Sequence, residues 1–157
     1  MKKMVLAALV AASGLALSVG AGATKPGFSL HSVKGTYAST FHGTIDGTGT
    51  LVADGAGNIV GGTETANDGT NICTGSLTGT YTVNADGTGT LTIVFTTDHS
   101  APNIGACPSI SATSHAAIVL VSRKQIEVSG TDPTVLVSGS LTRQAGWGNS
   151  GWGDDDD

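Results

Sequence analysis

The sequence predicts an all-β domain, an antiparallel up-and-down barrel of about eight strands, with a two-sheet β-sandwich as the alternative. Three observations carry this reading. Four short segments built on Asp-Gly punctuate the first half of the chain: Asp46-Gly47-Thr48-Gly49, Asp54-Gly55-Ala56-Gly57-Asn58, Asp68-Gly69-Thr70-Asn71 and Asp86-Gly87-Thr88-Gly89. Tight hairpin turns need positive φ, which Gly adopts freely and Asp or Asn tolerates, so each segment signals a hairpin. Between the turns, apolar residues recur with a period of two, the spacing of a half-buried strand. Gly and Thr dominate the composition, which suits strands and turns and opposes helices. Closure into a barrel is preferred over a sandwich because it removes the unpaired edges of a Thr-rich sheet.

Strands are expected at 35–45, 48–53, 58–66, 75–83, 88–97, 111–122, 125–130 and 134–142. Tyr37, Phe41 and Ile45 share a face of the first, Leu77, Tyr81 and Val83 of the fourth, and Leu91, Ile93 and Phe95 of the fifth. Ile126 and Val128, then Val135, Val137 and Leu141, complete the apolar lining. The run from Ala116 to Val121 is continuously apolar and reads as a strand covered on both faces or a short helix; its brevity favours the strand. Gly35-Thr36-Tyr37 is echoed by Gly79-Thr80-Tyr81, as in a duplicated hairpin. The segment from Asp98 to Ile110 is the longest break in alternation and reads as a loop.

The ends of the chain differ from this domain. Lys2 and Lys3 precede an apolar run from Met4 to Val19 and the small triplet Ala21-Gly22-Ala23, the order of a secretory signal peptide spanning 1–23. Residues 24–34 are a leader of uncertain order, 35–143 the barrel, and 144–157 a tail rich in Gly, Trp and Asp. The tail is expected to be flexible, with Trp147 and Trp152 as candidate anchors for a partner. The chain past residue 23 carries five Lys and Arg against twelve acids. So few scattered cations exclude nucleic-acid binding, and no transmembrane span is expected in the mature chain.

The two cysteines, Cys73 and Cys107, both follow the signal peptide and are expected to form a disulfide in the periplasm or outside the cell. No catalytic constellation stands out. The histidines at 31, 42, 99 and 115 lack the i, i+2 or i, i+4 spacing that pairs imidazoles on a metal, and the Asp-Gly turns lack the acid pattern of a calcium loop. No cofactor is expected. Glu64, flanked by Thr63 and Thr65, is expected to face solvent.

Gly35-Thr36-Tyr37 at the start of the first strand, eight short strands and Arg143 ending the last resemble the lipocalin/calycin plan, in which a meander barrel encloses a small apolar ligand. That family has Trp where this chain has Tyr37. The Gly-Thr-Tyr strands, Asp-Gly turns and Cys pair also resemble small secreted bacterial barrels of unknown function and the allene oxide cyclase barrel. The resemblance covers roughly 35–142 and carries over no catalytic residue. The chain as a whole reads as an exported, non-enzymatic barrel, either a carrier of a small apolar ligand or an envelope or matrix component. Self-assembly as an adhesive protein and a cyclase or isomerase are the alternatives. For a carrier, Tyr37, Phe41, Tyr81 and Phe95 are the expected cavity lining.

Overall fold

The computed structural model describes residues 27–107 and 111–145. The expected signal peptide at 1–23, most of the expected tail, and Trp147 and Trp152 lie outside the described residues. Eight strands run β1 Gly35–Gly43, β2 Asp46–Ala53, β3 Asn58–Asn67, β4 Ile72–Val83, β5 Thr88–Thr97, β6 Ser111–Leu120, β7 Gln125–Gly130 and β8 Val137–Arg143. Each pairs antiparallel with the next, and β8 returns to β1, closing the barrel in simple meander order. Every strand thus has a neighbour on both sides, which leaves no edge for strand-to-strand aggregation.

The Asp-Gly segments set three of the turns. The Asp54, Asp68 and Asp86 carboxylates fold over the backbone N–H two residues ahead, accepting from Ala56 at 2.7 Å, Thr70 at 2.8 Å and Thr88 at 2.9 Å. These bonds, with side-chain partners Asn58, Asn71 and Thr88, hold all three carboxyls below the ordinary range. The first Asp-Gly segment is different: Asp46 and Gly47 already belong to β2, and the turn is made by Thr44 and Ile45.

The period-two alternation places the core as expected on most strands. Tyr37, Leu51, Leu77, Tyr81, Leu91, Ile118, Ile126 and Leu141 are buried, with Phe41, Ile93, Phe95 and Val128 partly so. On β6 the run from Ala116 is a strand, but only its inner face is covered. Ile118 and Leu120 are buried whereas Val119 and Val121 are 49% and 59% exposed, so the expectation of cover on both faces is corrected. The outer faces carry Thr ladders instead, such as Thr50 with Thr63 and Thr65 with Thr74.

One end of the barrel is closed and the other open. Residues assigned to an uncertain leader form a 3₁₀ turn, Leu30–Val33, laid across the closed end. Val33 is buried there, the Tyr81 hydroxyl donates to the Leu30 carbonyl at 3.1 Å, and Phe28 bonds Ala85 through the backbone. Tyr37 fills the same end beside the charge of Arg143, its cross-strand partner, so the two Gly-Thr-Tyr segments serve one purpose. At the open end Cys73 is bonded to Cys107, which ties the long loop after β5 to the start of β4. Ile72 and Ile104 exchange backbone bonds beside the bridge, so the loop extends the rim as an extra rung.

β3 contains the feature that matters most for the interior. Val52 pairs with Gly61 but Ala53 pairs with Ile59, so Val60 is an extra residue, a β-bulge. An extra residue reverses the faces of everything beyond it. Ile59 points inward before the bulge; after it, Glu64 and Ala66 do. Gly62 permits this, with φ +154°, and a Cβ there would collide with the Thr50 carbonyl oxygen on β2.

Candidate functional site

The open half of the barrel encloses a cavity of about 300 Å³. Its wall is apolar: Phe41, Leu51, Ala66, Leu77, Leu91, Ile93, Phe95, Val128, Val137 and Leu141 all line it. Of the expected lining residues, Phe41 and Phe95 are therefore on the cavity. Tyr37 and Tyr81 are not; they pack in the closed end below it.

The two phenyl rings occupy space that glycines leave. Phe41 lies opposite Gly47, and the Phe95 ring covers Gly75, each filling the position of the missing Cβ. This draws both rings against the wall and keeps the lumen open.

Glu64 projects from this apolar wall. The expectation that it faces solvent is wrong by one residue of register, and the Val60 bulge is the cause. Its cross-strand partners are Gly49 on β2 and Gly75 on β4, so no neighbouring side chain in its rung can bond it. Ser39 continues the rung beyond Gly49, and its hydroxyl is buried without a hydrogen-bond partner. Desolvation by the surrounding wall pushes the Glu64 carboxyl up to about 7. The sequence did hold a signal for this, the Gly61-Gly62 pair inside a strand, since paired glycines there mark bulges.

At the mouth, Asp132 accepts from the His115 backbone N–H at 2.8 Å and meets its ring Nδ1 at 2.9 Å. These bonds hold the Asp132 carboxyl below its usual range. Ser114, His115 and Asp132 all border the cavity, with Ser114 on the opposite strand face from His115 by alternation. His42 meets Asp46 at 3.4 Å on the rim. Among the described residues no three of His, Cys, Asp and Glu converge on a point where a metal would sit. The cavity can therefore shelter an apolar body and offer it the Glu64 carboxyl, two phenyl faces and the hydroxyls of Ser39 and Ser114. Comparisons with protein families, curated proteins and solved structures found no match to this chain.

Proposed function

We propose that this protein is an exported carrier that holds one small, mainly apolar molecule in the open half of the barrel, with a polar group of the ligand at Glu64. The observation that carries the reading is an apolar cavity of about 300 Å³ whose wall bears a carboxyl with no partner among the described residues. Binding pockets combine such walls with a few polar anchors. The signal-like order of the first 23 residues and the Cys73–Cys107 bond support export to an oxidising compartment. The test is calorimetric titration with straight-chain alcohols of graded length. Saturable one-to-one binding that is lost in Ala66→Phe, which fills the lumen, supports the carrier. Absence of saturable binding across the series, with circular dichroism showing a folded barrel, contradicts it.

A second reading is favoured by the same carboxyl. A group that titrates close to neutral pH inside an apolar cavity suits proton transfer, as in an isomerase acting on an apolar substrate. Turnover of a bound ligand, abolished in Glu64→Gln while binding persists, would distinguish catalyst from carrier.

A further inference from the structure

We propose that the ligand is a small organic amine, bound as its ammonium ion with the Glu64 carboxylate as counter-ion. This rests on the carrier reading and names its ligand class. Two independent features point to a cation.

The first is the composition of the cavity. Among its lining residues there is no Lys or Arg, while Glu64, Asp68 and Asp132 all contribute acids. Asp68 and Asp132 are already satisfied, by Thr70 and Asn71 and by His115. Of the three, Glu64 alone has no partner among the described residues. A carboxylate removed from water without a compensating charge is costly, and a ligand that brings the charge removes that cost. The glycines on either side of Glu64 bring no side-chain group that could pair with it in place of a ligand. Phe41 and Phe95 add aromatic faces that attract a desolvated cation.

The second feature is the distribution of charge along the barrel. Every Lys and Arg among the described residues lies at the closed end: Lys34 before β1, Arg123 and Lys124 in the turn between β6 and β7, and Arg143 ending β8. The open end carries Asp46, Asp68, Asp98 and Asp132 around the mouth. A mouth lined by one sign of charge concentrates ligands of the other sign. His42 and His115 are also there, each against an acid, and His99 follows Asp98 in the loop. Anionic amphiphiles such as fatty acids would meet repulsion both at this mouth and at Glu64.

The experiment compares three ligands of one chain length, octylamine, 1-octanol and octanoate, by calorimetry on the full-length mature protein at pH 7 in buffers of different ionisation enthalpy. The expected affinity order places the amine roughly tenfold or more above the alcohol, the gain of a charge-assisted pair, with octanoate weakest. Octylamine should release protons on binding, because it draws Glu64 to the carboxylate, and its affinity should fall as pH drops below 7. Glu64→Gln should remove the preference for amine and leave octanol binding intact. If octanol binds as tightly as octylamine, or if binding takes up protons, Glu64 acts as a hydrogen-bond donor to a neutral ligand; the amine assignment then fails and the carrier survives. If none of the three binds, both fail. The proton count uses the native protein, so it decides the matter even if Glu64→Gln does not fold.

Discussion

Glu64 lies directly opposite Gly49 across β3 and β2, and the missing side chain of the glycine is one reason the carboxyl has no partner. A Ser or Thr at position 49 would place a hydroxyl in the same rung, but a Cβ there would collide with the Thr63 carbonyl oxygen and crowd the Glu64 backbone. The unpaired acid and the close strand approach are therefore linked in the same few residues.

Glu64→Gln should stabilise the protein at alkaline pH and not at acid pH. The folded chain holds the Glu64 proton more tightly than the unfolded chain, with the carboxyl raised from 4.5 to about 7. Below the lower value both states are protonated and burial carries no charge penalty; as pH rises through the interval the penalty grows, and above 7 it is complete. A shift of this size corresponds to about 3 kcal/mol at most. Denaturant midpoints of the two proteins should thus coincide near pH 4 and separate by pH 8, with the variant higher.

Gly62→Ala should be strongly destabilising for a surface-sized change. The residue needs positive φ, and its Cβ would meet Thr50 and Leu51 of β2. Strained φ alone costs on the order of 1–3 kcal/mol, and backbone collision adds to it. Gly69→Ala offers the comparison: it has positive φ but open space around a Cβ, so only the strain applies. Melting midpoints should fall further for position 62 than for 69.

The two tyrosines of the closed end should respond in opposite ways to loss of the hydroxyl. Tyr81 donates to the Leu30 carbonyl, so Tyr81→Phe should cost about 1 kcal/mol and loosen the 3₁₀ turn. The Tyr37 hydroxyl is buried without a partner, so Tyr37→Phe should be neutral or slightly stabilising. Urea unfolding of both variants under one condition checks the contrast.

The disulfide should be worth roughly 3–4 kcal/mol, the chain-entropy value for its sequence separation of 34 residues. Cys73→Ala with Cys107→Ala should lower the melting midpoint while retaining the β-type spectrum. Hydrogen exchange should rise first at Ile72 and Ile104, whose paired backbone bonds flank the bridge.

Strand order and most inward faces are legible in the sequence because hairpin chemistry and period-two alternation are local. Tyr37, Tyr81, Leu91 and Ile126 are buried on the faces that counting assigns them. Counting fails where the period is interrupted. Val60 adds one residue to β3, so the sequence between Ile59 and Glu64 reads with the wrong parity unless the glycine pair is taken as a bulge. The leader, too, gives no periodic signal; Phe28, Leu30 and Val33 find their place only once the barrel they cover exists. Division of the aromatic lining into a closed-end pair, Tyr37 and Tyr81, and a cavity pair, Phe41 and Phe95, is likewise set by height along the barrel, which alternation does not encode.

The titration of Glu64 tests the account most directly. Glu64 and Glu127 are the only glutamates in the chain, so carboxyl ¹³C labelling of Glu yields two resonances. The resonance that disappears in Glu64→Gln should titrate with a midpoint of about 7, and its midpoint should fall when octylamine is added. A midpoint in the ordinary carboxylate range, about 4.3, would place Glu64 in solvent and contradict both the bulge register and the site built on it.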